Sequence, residues 1–185
     1  ETTQQLYGLD NPATAGFGRQ CLLARRLVES GVRYTLLVHG VQIGKHSWDD
    51  HGDVQGGMIQ HSREVDQPVA ALLADLDDRG LLEETLVVWA SEMGRTPFKN
   101  GAMGKKPGRE HNSWNLVMWM AGGDIRGGAS VGETDEFGLR SVDEESIPIR
   151  DVHATILNLM GLDDDELRYQ HAGRMRQLTD IGGYV

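Results

Sequence analysis

The chain has 185 residues, with 18 Lys and Arg against 28 Asp and Glu and a formal net charge of −10. That length suits one domain or part of a larger one. A hydrophobic content of 39% and a charged content of 25% are typical of a soluble globular chain and exclude wholesale disorder. No apolar run reaches the roughly 18 residues of a membrane span. The acidic balance disfavours unaided binding to nucleic acid or anionic membranes, and the single cysteine, Cys21, excludes an internal disulfide.

The first third of the chain predicts a helix, a strand and a long loop. Apolar residues recur at steps of three and four over residues 13–30, which predicts an amphipathic helix that ends at Gly31 and holds Cys21 in the core. Residues 32–38 (VRYTLLV) predict a strand that is buried because both of its faces are apolar. Residues 39–57 are rich in Gly, His and Asp without an apolar period, and long loops of this kind are often functional.

The middle of the chain repeats this order. Residues 58–79 have helical spacing, and Pro68 either kinks that helix or marks its first turn. Residues 85–90 (TLVVWA) predict the clearest strand, residues 91–113 a polar loop, and residues 115–121 (NLVMWMA) a further strand.

Residues 151–160 (DVHATILNLM) predict a short helix with Asp151 as its N-cap. The order of elements predicts an α/β fold with a mostly parallel sheet flanked by helices. In such sheets ligands bind beyond the carboxyl ends of the strands, which is where the two polar loops begin.

Two sets of polar residues follow the predicted strands. In WDDHGD, Asp49 and His51 lie two residues apart in a loop and can converge on one divalent cation. The alternative is a solvated acidic loop with an incidental histidine, which would have the same sequence pattern. In SEMGRT, Glu92 would lie at the end of a strand, and Arg95 has a fork suited to a tetrahedral oxyanion. The alternative is a surface Glu–Arg pair of little energetic weight.

Two further sets contain histidine. His111, in GREHNSW, suits a metal ligand or a proton donor to a leaving group, but an isolated loop histidine is often structural or merely exposed. His153 would lie in the first turn of a helix, either facing the crevice as a ligand or partly buried without one. The other histidines are assigned supporting or structural roles: His39 and His46 around the first loop, His61 on a helix, and His171 near the C-terminus.

Other site classes lack support in the sequence. No serine stands in a Gly-x-Ser-x-Gly setting, no Walker-type loop is present, and no glycine-rich turn has the context of a dinucleotide site. Basic residues interleaved with aromatic ones, as expected for nucleic-acid binding, are also missing from the sequence.

These motifs, in this order, resemble the C-terminal part of the domain-of-unknown-function 1501 family, sulfatase-like proteins abundant in planctomycete bacteria. The matching text includes LYGLDNPATAGFGRQCLLARRLVESGVRY, WDDHGD, LVVWASEMGRTPF, GREHNSW and DVHATILNLMGLD, and it covers nearly all of residues 1–185. The family in turn resembles the alkaline phosphatase superfamily. That resemblance implies an α/β sandwich with a metal site beyond the sheet, and one sulfatase-like domain over residues 1–185.

The resemblance also implies roles for individual residues. Asp49, His51, Glu92 and His153 are similar to metal ligands, with Zn, Ca, Mg or Mn as the cation, and His111 is similar to a substrate-facing or metal-facing histidine. In the catalytic hypothesis, His111 and Arg95 act on the substrate. Met93 departs from the pattern, because it stands where a histidine ligand is common and a thioether is a poor ligand for these cations. Glu110 replaces an Asp of the family, and Met175 stands where many relatives carry an Asp.

The superfamily's nucleophile comes from an N-terminal strand with no counterpart here. The chain also begins at Glu1 without an initiator methionine. Both features predict a fragment that is inactive alone and associates through an exposed sheet edge. Export from the cytoplasm is implied by resemblance only.

Three functional hypotheses follow. The first is a metal-dependent hydrolase of sulfate or phosphate esters, acting on small molecules or polysaccharides and not on nucleic acid or at a membrane. The second is a non-catalytic binding module on a degraded hydrolase fold, as Met93 suggests. The third is a small-molecule α/β domain without a metal.

Overall fold

The computed structural model describes residues 2–40, 48–98, 108–142 and 146–177. Helices contribute most of the regular structure in these residues. They are α1 (Thr3–Leu6), α2 (Ala15–Glu29), α3 (Val54–Asp78) and α4 (Ile149–Leu159). The strands are short: β1 (Val87–Trp89), β2 (Gly94–Arg95), β3 (His111–Asn112), β4 (Trp119–Ala121), β5 (Arg168–His171) and β6 (Arg174–Gln177).

Helices α2 and α3 pack together and form the hydrophobic core. Their three- and four-residue apolar spacing places one face of each helix against the other, as the sequence predicted. The buried set is Tyr7, Phe17, Cys21, Leu22, Val65, Ala71, Leu72 and Leu76. Cys21 is completely buried, which confirms its predicted place in the core, and burial raises the pKa of its thiol to about 12.

Helix α3 begins earlier than predicted, because Asp53 caps it. The Asp53 carboxylate accepts a hydrogen bond from the backbone N–H of Gly56 at 3.1 Å. Such a cap satisfies one of the free N–H groups of the first turn. Pro68 therefore lies inside α3, fully buried, and not in its first turn.

A buried polar group joins the first three helical segments. The Asp75 carboxylate accepts hydrogen bonds from the Tyr7 hydroxyl at 2.8 Å, from Arg25 Nε at 2.8 Å and from Arg79 Nε at 2.6 Å. Burial raises the pKa of Asp75, but the hydrogen bonds from Arg79, Tyr7 and Arg25 outweigh it and the pKa is lowered. The charge that α3 buries is thus fully paired.

The predicted mostly parallel sheet is wrong for the described residues. Their strands form three separate two-stranded antiparallel ladders, β1–β4, β2–β3 and β5–β6. The apolar runs at 85–90 and 115–121 do contain strands, but they pair with each other. Trp89 lies opposite Trp119, with the two rings stacked 6.1 Å apart.

The predicted buried strand at residues 32–38 is also wrong. The segment belongs to no helix or strand, and Tyr34 and Leu36 are 73% and 70% exposed. Apolar residues on both faces become buried only where neighbouring elements cover both faces, and the described residues provide no paired strand here.

Helix α4 confirms the predicted C-terminal helix but not its cap. Pro148 occupies the N-cap position without a side-chain hydrogen bond, and Asp151 lies in the first turn. An acid in that turn still interacts favourably with the helix dipole. Among the described helices, none combines the length and the apolar character needed to cross a membrane.

Candidate metal centre

The candidate site lies where the loop before α3 meets the β2–β3 hairpin. In the loop, the Asp50 carboxylate accepts hydrogen bonds from the N–H groups of Gly52, at 3.1 Å, and Asp53, at 2.7 Å. These bonds fold residues 49–53 into a turn, as short Asp side chains commonly do. In the hairpin, Arg95 lies directly opposite His111.

A glycine allows the two segments to approach closely. A Cβ atom at Gly108 would lie 1.7 Å from the backbone oxygen of His51. No side chain fits at that distance, so the contact between the loop and the segment that leads into β3 requires glycine at this position. The glycine in GREHNSW thus brings His111 to the loop that carries Asp49.

One carboxylate oxygen is the centre of the site. Asp49 Oδ1 lies 2.9 Å from His51 Nε2, 2.8 Å from His111 Nε2 and 2.6 Å from Arg95 Nη2. Hydrogen bonds from His111 and then from Arg95 lower the pKa of Asp49 to about 2. The side chains of Asp49 and His111 are 49% and 48% exposed, so the site is open to solvent.

The donor set fits a divalent transition metal. Asp49, His51 and His111 each offer one ligand atom, and these atoms lie within 4.8 Å of one another. Two imidazoles and one carboxylate with an open side are the donor set of catalytic zinc and non-haem iron sites. Imidazole nitrogens favour Zn²⁺ over Ca²⁺ and Mg²⁺, which prefer oxygen ligands.

A second carboxylate lies behind His51. Glu110 Oε2 is 3.2 Å from His51 Nδ1, yet His51 Nδ1 and Glu110 Oε1 are both buried without a hydrogen-bond partner in the part of the chain that the structure describes. If His51 bound a metal through Nε2, its proton would reside on Nδ1 and face Glu110. Metal-bound histidines almost always donate that proton to a carboxylate or carbonyl.

A second group of His and Glu lies nearby but has the hydrogen-bond pattern of a structural network. His39 Nε2 and His61 Nδ1 lie 3.2 Å and 3.0 Å from Glu64 Oε2, and Trp48 Nε1 donates to His39 Nδ1 at 2.9 Å. An indole N–H can only donate, so His39 Nδ1 is an acceptor and the proton of neutral His39 is on Nε2, toward Glu64. A cation at Nε2 would require an imidazole without either proton.

Charge and burial agree with this assignment. Burial lowers the pKa of His39, against an opposing effect of Glu64. Burial raises the pKa of Glu64, but hydrogen bonds from His61 and Gln60 outweigh it and lower the pKa. His39 and His61 thus support the loop by contacting Trp48, the residue before Asp49. His46 lies outside the described residues.

The structure brings together four of the six predicted site residues: Asp49, His51, Arg95 and His111. Glu92 is exposed between β1 and β2, and His153 is exposed on α4. Neither belongs to a metal-competent group among residues 2–40, 48–98, 108–142 and 146–177, and their ligand roles stay predictions. Sequence reasoning missed the contact between Glu110 and His51. The available signal was the acidic residue Glu110 directly before His111.

Comparison with known proteins gives one result. No curated protein and no solved structure shows a significant match to this chain. A family model, described as a protein of unknown function (DUF1501), matches residues 1–185. The chain therefore belongs to the DUF1501 family.

Proposed function

We propose that this protein is a metal-dependent hydrolase of sulfate or phosphate esters, with Asp49, His51 and His111 as ligands of a divalent cation. The observation that carries the proposal is the convergence of Asp49 Oδ1 and the two Nε2 atoms on one point. Three segments that are distant in sequence supply this group and Arg95, namely the loop at residues 49–51, β2 and β3, and a solvated loop would not need such an arrangement.

Each residue has a distinct task in this proposal. A cation bound there would polarise an ester oxygen and lower the pKa of a bound water. Three protein ligands leave coordination positions for those two oxygens. Arg95, 2.6 Å from the same carboxylate oxygen, would bind the remaining ester oxygens through its fork. Glu110 would orient His51.

The ligand set of this proposal includes His111, one of the two roles that the resemblance left open for it, and omits Glu92 and His153. His111 contributes a ring nitrogen to the group itself, so it acts here as a ligand and not as a proton donor. Glu92 and His153 would complete the shell only if their loop and helix approach Asp49 when a cation binds. The metal affinities of variants at Glu92 and His153 distinguish this ligand set from the one that includes them.

A binding module without turnover is the second candidate. The half-exposed side chains of Asp49 and His111 support it, because an open site excludes little water and gains less electrostatic stabilisation than an enclosed one. Such a site would still hold a cation and an anionic polymer.

Metal titration tests the proposal. The protein is stripped with chelator and titrated with Zn²⁺ or Mn²⁺ by calorimetry, with elemental analysis for stoichiometry. Asp49→Asn, His51→Gln and His111→Gln should each weaken binding by more than about 100-fold, because loss of a ligand exceeds the 10–100-fold cost of losing an orienting partner. His171→Gln, at an exposed histidine on β5, is the matched control.

The same titration on Glu92→Gln and His153→Gln decides the ligand set. Unchanged affinity in both restricts the site to the three converging residues, and a loss in either one adds it to the shell. Absence of stoichiometric metal binding by the unmodified protein would overturn the proposal. Chelator-sensitive turnover of aryl sulfates or aryl phosphates favours the hydrolase, and binding of anionic polymers without turnover favours the module.

A further inference from the structure

A cavity opens beside the candidate metal centre and shares His111 with it. Its volume is about 350 Å³, at the lower end of the range for small-molecule sites. The lining residues come from two segments, 111–114 and 139–140, together with Thr96. A ligand held in this cavity would therefore contact the residues next to the metal.

The two walls are joined by hydrogen bonds. The Asn112 amide, on a buried side chain, donates to the backbone oxygen of Leu139 at 3.0 Å, and the Asn115 amide donates to that of Gly138 at 2.8 Å. The Ser141 hydroxyl donates to the backbone oxygen of Trp114 at 3.3 Å. The cavity is thus formed before any ligand binds, which lowers the entropic cost of binding.

Arg140 places a cation in the lining of this cavity. The Arg140 guanidinium carbon is 4.8 Å from the ring centroid of Trp114, a cation–π contact that orients the side chain. The carboxylate of neighbouring Asp135 instead accepts a hydrogen bond from the N–H of Leu139 at 2.7 Å. Among the described residues, Arg140 forms no ion pair or side-chain hydrogen bond, so its N–H donors are available to a ligand.

We infer that the cavity selects substrates with a second anionic group, which binds Arg140 while the first anionic ester group binds at the metal centre. This inference rests on the proposed function. A site with one cationic centre would accept a monoester, and a second guanidinium that has no acidic partner among the described residues adds specificity for a second sulfate or phosphate.

The exposed face of Trp114 contributes to the same selection. Trp114 is 66% exposed, although a large apolar side chain gains free energy when it is covered. A compact organic group between the two anions, such as a sugar ring, would cover it. The substrate class is therefore a sugar-sized molecule that carries two sulfate or phosphate groups.

The experiment compares two ligands that differ by one anion. Binding of glucose 6-phosphate and glucose 1,6-bisphosphate is measured by calorimetry at fixed ionic strength, with saturating Mn²⁺ and again in chelator. The unmodified protein should bind the bisphosphate at least about tenfold more tightly than the monophosphate, since charge-assisted hydrogen bonds are the strong ones. Glucose mono- and bis-sulfates form a parallel pair that distinguishes sulfate from phosphate.

Arg140→Gln should abolish the preference and leave the affinity for the monophosphate and for Mn²⁺ unchanged. Arg126→Gln, at an exposed arginine outside the lining set, makes the same change in net charge and should retain the preference. Trp114→Ala should weaken binding of both ligands.

The outcomes separate this inference from the proposed function. If the protein binds Mn²⁺ and the Arg140→Gln variant still prefers the bisphosphate to the monophosphate, the second-anion site is overturned and the metal centre is not. Failure to bind either Mn²⁺ or Zn²⁺ overturns the metal centre. In that case the titrations in chelator still test the anion site. A preference for the bisphosphate that Arg140→Gln removes supports that site, and no preference for the bisphosphate overturns it.

Discussion

Replacement of Asp75 by alanine tests the account of the buried polar group between the helices. The variant removes the acceptor of three hydrogen bonds and leaves Arg25, whose side chain is 6% exposed, without its buried partner. Breaking a buried ion pair from one side costs about 3–5 kcal/mol. Arg25 keeps an ion pair with the more exposed Glu29, so we expect the lower end, about 3 kcal/mol.

At about 2–4 °C per kcal/mol for a chain of this length, that loss lowers Tm by about 6–12 °C. Urea unfolding followed by circular dichroism at 222 nm gives the free energy of unfolding, and a thermal scan gives Tm.

Tyr7→Phe, which removes one donor and leaves Asp75 paired with both arginines, should cost about 1–2 kcal/mol. Asp78→Ala, at an exposed position on the same helix, is the control and should stay within about 0.5 kcal/mol. An Asp75→Ala variant as stable as this control would refute the reasoning.

Three further predictions concern the site and its support. Gly108→Ala should weaken Zn²⁺ binding at least about tenfold, measured by calorimetry, because its Cβ would displace the His51 backbone, whereas Gly127→Ala, with open space around it, should bind normally. Glu110→Gln should weaken Zn²⁺ binding about 10–100-fold and leave its stoichiometry unchanged, and an unaffected affinity would remove Glu110 from the site. The folded-state pKa of His39 lies below its usual value, so the free energy of unfolding should fall as pH drops below about 6.5, where the unfolded chain takes up the proton first. Urea titrations at pH 7 and pH 5 should show a smaller fall in His39→Gln.

Acid should destabilise the protein further through its carboxylates. The pKa values of Asp75, Glu64 and Asp49 are lowered in the folded state, so their stabilisation is present above their ordinary pKa values and is lost as pH falls through the lowered ones. The exposed Asp49 contributes the least to this, because solvent screens its partners.

The parts of the fold that depend on local sequence were predictable. Helices α2 and α3 follow directly from apolar spacing within 15 and 25 residues. The start of α3 was misplaced because the sequence positions of Asp50 and Asp53 do not show which backbone N–H each carboxylate will accept. Strand pairing is non-local, so the runs at 85–90 and 115–121 were correctly seen as strands and wrongly placed in a parallel sheet.

The candidate site, like the fold, was predictable only where it depends on residues that are close in sequence. Asp49 and His51 are close in sequence, and their proximity in space could be anticipated. The approach of His111 depends on the β2–β3 register and on the space left at Gly108, neither of which the spacing of histidines reveals. The role of His39 depends on a single donor, Trp48 Nε1, whose direction appears only in three dimensions.

The extended segment at residues 32–38 leaves every second side chain, from Val32 to Val38, in contact with water. Full burial of one such side chain is worth about 1.5–3 kcal/mol. The described residues therefore retain an appreciable driving force on their surface for one more layer of polypeptide. Any strand that aligned with this segment would gain main-chain hydrogen bonds and a dry interface in the same step.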